Sequence, residues 1–362
     1  MTAFDATREF AQSLDESDPL RGFRDQFNFP DDRGGRRNVY VCGNSLGLQP
    51  KIAVQYVTEV LTDWARLGVE GHFHASRPWL EYHRLASGGF ATLTGAHEQE
   101  VVAMNTLTVN LHVLMATFYR PDAERNKIVI ESQAFPSDYF AVTSQLQLHG
   151  YDPADSLIEW EPREDELLYN EDLQAILDRH GDEIALLLLP GVQYYTGQVL
   201  DMAELCEMAR QAGCRIGLDL AHAIGNVPMS LHDWAPDFAA WCTYKYLNSG
   251  PGAVAGAFVH ERHLDGDGSE QLTGWWGHEQ STRFRMARQF EPAAGAERWQ
   301  LSNPPVLALA PIVASLSLFE EAGIDALREK SLRQTAYLKY LLDEEFAGEI
   351  ETITPFDARG CQ

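Results

Sequence analysis

Short, largely apolar runs recur along the chain and are separated by segments with helical spacing. The runs lie at residues 101–104, 128–130, 184–189, 216–220 and 254–259. Strands that are apolar on both faces and alternate with helices are typical of parallel sheets covered on both sides. The pattern therefore predicts an α/β fold, with a large domain built on a mostly parallel sheet covered by helices.

Two of the intervening segments have the clearest helical pattern. The first lies between Pro50 and Gly68 and has apolar residues at helical spacing, namely Val57, Val60, Leu61 and Trp64. The second runs from Leu200 to Gln211 and is followed by Gly213, a residue type that often ends helices. Both segments are therefore predicted to be helices.

The first 38 residues differ from the rest of the chain. They are rich in charge and end in the loop-like run 31–37, which contains two adjacent glycines. We interpret residues 1–38 as an N-terminal arm that packs on a body beginning near Tyr40.

Composition narrows the function classes. The 362 residues are 45% apolar and 22% charged, as in ordinary globular proteins, and the formal net charge is −25. A field of that sign repels phosphate backbones and anionic lipids, so nucleic acid and membrane surfaces are not expected partners. An anionic ligand would need a local positive site built against this background.

The cysteines and the apolar segments indicate the compartment. The five cysteines form no CxxC pair, residues 1–30 contain no apolar signal core, and no run of about 18 apolar residues occurs. We therefore expect a reduced, cytoplasmic protein without a membrane anchor.

Chemically active side chains follow the predicted strands. In parallel sheets, ligands bind beyond the carboxyl ends of the strands. Asp219 closes one apolar run, and Lys245 lies among aromatic residues further on. Desolvation would make the lysine amine nucleophilic, and a buried carboxylate requires a cationic partner. Together they favour a pyridoxal-phosphate (PLP) site, in which an aspartate keeps the pyridine nitrogen protonated.

Other residues extend this interpretation. Leu107 and Thr108 open a helix whose N–H groups could bind a phosphate, and Phe135 could stack on a cofactor ring. No Walker motif and no GxGxxG after a strand is present. His222 could either contact the cofactor ring or occupy an ordinary position in the protein core. A metal site from Asp219, His222 and His232 is conceivable, but no metal-ligand spacing supports it, and we expect no metal.

Eight short motifs occur in an order that resembles kynureninase. They are Gly43-Asn44-Ser45-Leu46-Gly47, Leu107-Thr108-Val109-Asn110-Leu111-His112, Phe135-Pro136-Ser137-Asp138, Tyr195-Thr196-Gly197-Gln198, Asp219-Leu220-Ala221-His222, Tyr244-Lys245-Tyr246-Leu247-Asn248, Gly274-Trp275-Trp276-Gly277-His278 and Ser302-Asn303-Pro304-Pro305. The resemblance extends from about Val41 to Pro305, and weakly to the end of the chain.

The resemblance implies PLP fold type I and a homodimer whose active sites are shared between subunits. It implies an N-terminal arm at 1–38, a large cofactor-binding domain at 39–305, and a partial small domain at 306–362, with the small domain formed from both chain ends. In the family, sequence like the last four residues is followed by further chain. That further part carries the arginine expected to bind the substrate α-carboxylate. Arg283, Arg285 and Arg298 are present, but the role is not transferred to them.

The resemblance also implies roles for individual residues. Lys245 would form the Schiff base and take the Cα proton, Asp219 would pair with the pyridine nitrogen, and Tyr244 would act as acid/base in later steps. The expected cofactor-binding residues are Leu107, Thr108, Phe135, Pro136, Ser137, Asp138, Asp219, His222, Tyr244, Lys245, Trp275 and Asn303. The expected substrate-contacting residues are His72, Trp276 and Asn303, and in the family Trp275 and Asn303 come from the partner subunit.

The implied reaction is hydrolytic cleavage of the Cβ–Cγ bond of L-kynurenine or 3-hydroxykynurenine, through a ketimine of the cofactor. The products would be anthranilate or 3-hydroxyanthranilate and L-alanine, placing the enzyme in tryptophan catabolism or NAD biosynthesis. Two alternatives stay open: another fold type I lyase resembling a cysteine desulfurase, with Cys242 near the site, and a PLP-binding protein without turnover.

Overall fold

The apolar runs of the sequence form a seven-stranded sheet at the centre of the fold. The structure is a computed structural model that describes residues 4–31, 34–35, 38–266, 270–355, 357 and 360. The strands are β1 (Phe27–Asn28), β2 (Gln49–Pro50), β3 (Val101–Ala103), β4 (Lys127–Glu131), β5 (Leu157–Trp160), β6 (Ile184–Pro190), β7 (Arg215–Asp219), β8 (Phe238–Trp241) and β9 (Gly256–Val259). β1 and β2 form a separate antiparallel pair.

Helices cover both faces of this sheet. They are α1 (Arg8–Ser17), α2 (Ala53–Leu67), α3 (Gly71–His74), α4 (Ser87–Thr94), α5 (Leu107–Phe118), α6 (Pro136–Leu148), α7 (Pro153–Ser156), α8 (Asn170–His180), α9 (Met202–Gln211), α10 (Leu231–Trp234), α11 (Gln280–Arg283), α12 (Val306–Ala322) and α13 (Ile324–Glu345). Both helices predicted from spacing are present, as α2 and α9. Gly68 caps α2 with a φ of 57°, a left-handed conformation that glycine adopts without strain.

The strand order is β3-β9-β8-β7-β6-β4-β5, and the sheet is mostly parallel, as predicted. Four of its six neighbouring pairs are parallel, and β9 pairs antiparallel with β3 and β8. All five predicted runs contain a strand. β5 and β8 were not predicted: β5 is a half-exposed edge strand that contains Glu159, and two of the four residues of β8 are alanines, which have low strand propensity.

Two apolar clusters lie on the two faces of the sheet. β6 contributes Leu187 and Leu189 to one cluster and Leu186 and Leu188 to the other. Every residue of β6 is buried. Because both faces are covered, the strand is a continuous apolar run rather than an alternating one.

The two ends of the described chain contact each other. The Phe4 ring lies 5.4 Å from the Tyr337 ring, centroid to centroid, and Lys330 Nζ lies 2.5 Å from an Asp18 carboxylate oxygen. Helix α12, by contrast, buries Leu309 in the main core. The domain boundaries at residues 38 and 305 stay a prediction. Within the predicted loop 31–37, residues 32, 33, 36 and 37 lie outside the described residues, as do Arg359, Cys361 and Gln362.

In the described part of the chain, no single helix is both long and apolar enough to cross a membrane. α12 and α13 meet those criteria only when they are joined across a bend of 78°.

Candidate active site

Three neighbouring parallel strands end at one cavity. β4 ends at Glu131, β6 at Pro190 and β7 at Asp219, and all three residues line a cavity of about 480 Å³. The other lining residues are Asn44, Ser45, Thr106, Leu107, Thr108, Phe135, Ser137, Asp138, Val192, Tyr194, Ala221, His222, Tyr244 and Lys245. This is the edge at which parallel sheets bind ligands.

Lys245 lies in the turn that follows β8 and extends its amine into this cavity. The Lys245 Nζ is 2.7 Å from the His222 Nε2 and 5.9 Å from the centroid of the Phe135 ring. Burial, together with the nearby lysine charge, lowers the pKa of His222 to about 4. The imidazole is therefore neutral at neutral pH, and its Nε2 can accept a hydrogen bond from the lysine amine.

Three carboxyl groups line the same cavity and are almost fully buried: Glu131, Asp138 and Asp219. Burial and, secondarily, the charge of Asp219 raise the pKa of Glu131 to about 8. Burial and the adjacent Asp219 also hold the pKa of Asp138 well above its ordinary value. One Asp219 oxygen accepts the backbone N–H of Ala221 at 2.7 Å. A cation placed here would relieve the repulsion between these groups.

The N-terminus of α5 opens toward the cavity. Thr106 is its N-cap but makes no side-chain capping bond, so the first N–H groups of the helix lack that partner. The turn before the helix is fixed by Asn110, whose side chain donates to the Met104 carbonyl and lies 3.0 Å from the Asn105 side chain. Leu107 and Thr108 thus present a helix N-terminus, which favours an anion.

A close backbone contact brings the 43–47 segment to the cavity. The Gly47 N–H donates to the Tyr244 carbonyl at 2.8 Å, and a Cβ at Gly47 would lie 2.2 Å from the Lys245 carbonyl oxygen. Only glycine permits this approach. The contact holds Asn44 and Ser45 beside the lysine.

Tyr244 and Phe135 complete the walls. Burial, with a contribution from the neighbouring Cys242, raises the pKa of Tyr244, so its phenol is protonated at neutral pH. The half-exposed Phe135 ring contacts the Tyr194 ring edge to face at 5.2 Å. The Phe135 face is therefore available for stacking against a planar ligand.

The structure brings together most of the predicted site residues, but not all of them. Eight of the predicted cofactor-binding residues besides Lys245 line the cavity: Leu107, Thr108, Phe135, Ser137, Asp138, Asp219, His222 and Tyr244. Pro136 instead occupies the first turn of α6.

Four predicted residues lie away from the cavity of this chain: His72, Trp275, Trp276 and Asn303. His72 packs edge to face on Trp79, and Asn303 is exposed. Trp276 is buried and stacks on the Arg283 guanidinium at 4.3 Å, whereas Trp275 is 44% exposed. These four residues do not contribute to the cavity within a single chain.

Several lining residues were not predicted, and Glu131 is the most informative of them. Like Asp219, it is a carboxylate that closes an apolar strand, so the reasoning applied to Asp219 would also have identified it. Asn44 and Ser45 lie in a motif that the sequence singled out without a role. Apart from its position after β6, nothing in the sequence marked Tyr194 as a site residue.

The conceivable metal site is not assembled. His222 lines the cavity, but the His232 Nδ1 lies 3.1 Å from the Glu100 carboxylate, and the His232 ring stacks on that of His97. Among the described residues, Asp219, His222 and His232 therefore do not form a ligand set. Cys242 is buried, and burial raises the pKa of its thiol to about 11, so the reactive thiolate is disfavoured.

Comparison with known proteins identifies the class. The chain matches the aminotransferase class-V family over residues 39–358. Its fold resembles that of C-DES, a cystine C–S lyase, in a mutant with glycine covalently linked to its PLP cofactor. The TM-score with that mutant is 0.72 at 17% identity, over 90% of this chain and 80% of that chain. It also resembles a cysteine desulfurase from Thermococcus onnurineus NA1, with a TM-score of 0.68 at 16% identity, covering 95% of this chain and 78% of that one. The protein thus has PLP fold type I, as predicted.

Relatives of higher identity define the particular family. A kynureninase from Myxococcus xanthus is 52% identical over 99% of this chain and 85% of its own length. A kynureninase from Xanthomonas campestris pv. campestris strain B100 is 55% identical over 98% of this chain and 84% of its own. The chain therefore belongs to the kynureninases of the aminotransferase class-V family, and the resemblance predicted from its motifs is confirmed.

Proposed function

We propose that this protein is a PLP-dependent hydrolase that cleaves the Cβ–Cγ bond of L-kynurenine, or of its 3-hydroxy derivative. The products are anthranilate or 3-hydroxyanthranilate and L-alanine. One observation carries the proposal in a chain of the kynureninase family: the Lys245 amine and the Asp219 carboxylate line the same cavity at the carboxyl edge of the sheet.

The cavity fits the cofactor at both ends of the PLP molecule. The open N-terminus of α5, with Leu107 and Thr108, suits the phosphate. At the other end, the Asp219 carboxylate could pair with a protonated pyridine nitrogen. The raised pKa values of Asp138 and Glu131 favour their neutral forms beside it. Phe135 and His222 supply surfaces for the ring. When bound, PLP acts as an electron sink that stabilises negative charge developing on the substrate.

The residues around Lys245 prepare it for proton transfer. Neutral His222 accepts a hydrogen bond from the amine, which orients the Nζ within the cavity. We assign Lys245 the removal of the proton from the substrate Cα. Tyr244 retains its phenolic proton at neutral pH, so it can donate at the substrate Cβ after cleavage.

We further propose that the active enzyme is a homodimer. His72, Trp276 and Asn303, the expected contacts for the substrate ring, and Trp275, an expected cofactor contact, lie outside the cavity of this chain. A second subunit could bring Trp275 and Asn303 to it. Trp275 and Phe284 contact each other at 5.6 Å and are 44% and 50% exposed, and aromatic surface of this kind is enriched in protein interfaces.

We also propose that the enzyme acts in the cytoplasm. The four cysteines that the structure describes are free thiols, which suits a reducing cytoplasm. There the enzyme would act in the kynurenine pathway of tryptophan catabolism, and a 3-hydroxyanthranilate product would supply NAD biosynthesis. The acidic net charge supports a small-molecule substrate rather than nucleic acid or membranes.

Anthranilate fluorescence after addition of L-kynurenine to the PLP-loaded protein tests the proposal. The parent should produce the signal, Lys245→Ala should lose it by at least about 10³-fold, and Lys51→Ala, a change at an exposed lysine, should retain it.

Two outcomes would contradict the proposal. A silent parent that still shows the absorbance of bound PLP would leave a PLP-binding protein without turnover. Sulfide release from L-cysteine with no cleavage of kynurenine would instead indicate a desulfurase-like lyase.

A further inference from the structure

A second cavity lies at the opposite edge of the central sheet. It has a volume of about 470 Å³, and its wall includes Ala185 at the start of β6 and Arg215 at the start of β7. The candidate active site holds the last residues of these same strands. Because β6 spans seven residues, the two cavities are separated by roughly 20 Å along the strand. The second cavity is therefore distinct from the active site.

Five arginines line this second cavity: Arg120, Arg125, Arg215, Arg262 and Arg298. They come from four separate places in the sequence, with Arg120 and Arg125 both in the connection between α5 and β4, and folding brings these places together. The described carboxylates beside them are Asp265 and Glu270 in the wall, Asp237 behind it and Asp122 near Arg125. Among the described residues, five guanidinium groups thus face four carboxylates, on a protein whose net charge is −25.

Part of the cluster is held rigidly by Asp237. This buried carboxylate lies 2.8 Å from Arg215, 3.0 Å from Arg262 and 2.8 Å from the His263 ring. Arg298 is anchored by donating to the Leu264 carbonyl at 2.6 Å. The far wall is thus preorganised before any ligand arrives, which lowers the entropic cost of binding.

Arg120 and Arg125 differ from the other arginines. Arg120 donates to the backbone carbonyls of Thr117 and Glu270, and Arg125 to that of Gly213. Neither forms an ion pair with a carboxylate in the described ranges of the chain. Carbonyl contacts fix the direction of a guanidinium without neutralising its charge, and the exposed Asp122 carboxylate interacts with Arg125 without forming an ion pair with its guanidinium. These two side chains can therefore receive an oxyanion, which guanidinium groups bind through paired N–H donors.

We propose that this cavity binds a small organic or inorganic oxyanion that carries several negative charges. Its volume is within the range of small-molecule sites, and its arginines come from several directions. A phosphate ester and a polycarboxylate share this chemistry. The site is independent of the cleavage reaction and does not rest on the proposed function.

Isothermal titration of the PLP-loaded protein tests this inference. The loaded form is needed because an empty cofactor site would itself bind phosphate. Pyrophosphate and citrate serve as separate probes of the phosphate and carboxylate sources. Millimolar or tighter binding of at least one probe is expected, and its Kd should rise with salt. Arg120→Gln combined with Arg125→Gln should raise that Kd at least about tenfold.

Two matched variants sharpen the result. Arg120→Lys combined with Arg125→Lys keeps the charge and should recover part of the affinity. Arg210→Gln removes an exposed arginine that pairs with Glu207 elsewhere, and should leave the Kd unchanged. Thermal melting checks that each variant is folded. Failure of both probes to bind the parent, or equal binding by the parent and the glutamine variant, would overturn the proposal.

Discussion

The two edges of the central sheet carry charged cavities of almost equal size, but their charges are arranged differently. At the carboxyl edge, Glu131, Asp138 and Asp219 crowd together opposite one lysine. At the other edge, the buried carboxylate of Asp237 is surrounded by Arg215, Arg262 and His263. In the first arrangement the neighbouring carboxyl groups disfavour one another's ionisation, whereas in the second the neighbours of Asp237 stabilise its ionised form.

The pKa values of the carboxyl groups are shifted in opposite directions at the two edges. Burial and the nearby Asp219 raise the pKa of Glu131 to about 8. Burial also acts to raise the pKa of Asp237, but hydrogen bonds from His263 and the Ile216 N–H, and the charges of Arg262 and Arg215, outweigh burial and hold that pKa below its ordinary value. Equally buried carboxyl groups thus titrate in opposite directions because their neighbours differ in charge.

The largest expected effect is at Asp219. Asp219→Asn keeps an oxygen for the Ala221 N–H but removes the negative charge that would hold the cofactor's pyridine nitrogen protonated. We expect kynurenine turnover to fall by at least about 10³-fold. The cofactor-free variant should be at least as stable as the parent, because repulsion with Asp138 and Glu131 is relieved.

Anthranilate fluorescence and thermal melting of the cofactor-free protein measure these two effects. Undiminished turnover, or a marked drop in the melting temperature, would show that the Asp219 charge does not have this role.

Asp237→Asn should destabilise the fold at neutral pH by about 3–5 kcal/mol, because it removes the buried charge that Arg215 and Arg262 share and that His263 contacts. Since the folded pKa of Asp237 is depressed, its stabilisation is present above its ordinary pKa of 3.8 and is lost as the pH falls below that value. Urea unfolding of parent and variant at neutral and acid pH measures this. A difference between them that does not shrink in acid would contradict the assignment.

Glu131→Gln should change the free energy of unfolding less than Asp237→Asn does, and in the opposite direction. The raised pKa means that the protonated form is favoured in the folded state, so its stabilisation is complete below pH 4.5 and is lost as the pH rises through about 8. The cofactor-free parent should therefore lose stability between these limits. The variant should lose less stability over this pH range, by a difference on the order of 2 kcal/mol. This is less than an isolated group would give, because Glu131 titrates together with the neighbouring carboxyl groups.

Urea unfolding of both cofactor-free proteins across this range tests the Glu131 prediction. Glu164→Gln, a change at an exposed glutamate, serves as the control and should follow the parent. Parallel curves for Glu131→Gln and the parent would show that Glu131 is ionised in the folded protein.

Much of the fold and of the candidate site could be predicted from local patterns. Apolar runs located five strands, and the rule that ligands bind at strand ends selected Asp219 and Lys245. β5 and β8 were missed because a half-exposed strand and an alanine-rich strand both give a weak apolar pattern. Glu131 was missed although its position after an apolar run matches that of Asp219. A carboxylate that directly follows an apolar run is therefore a site signal in both strands.

The second cavity, lined by five arginines, could not be predicted from local sequence patterns. Its five arginines are scattered between residues 120 and 298, and each by itself resembles an ordinary surface arginine. No periodicity or motif marks them, because their common feature is proximity in space. The same holds for the contact between Gly47 and the Lys245 turn, which depends on two distant segments meeting at one point.

The sequence by itself determined the fold class and the family, and it singled out Lys245 and Asp219 as candidate site residues, because periodicity and motif order depend only on the order of residues along the chain. The tertiary structure alone decided which charges face one another: three carboxyl groups around one cavity, and five arginines around another. Charge–charge energies depend on separation and on burial, and both are fixed only when distant segments pack together.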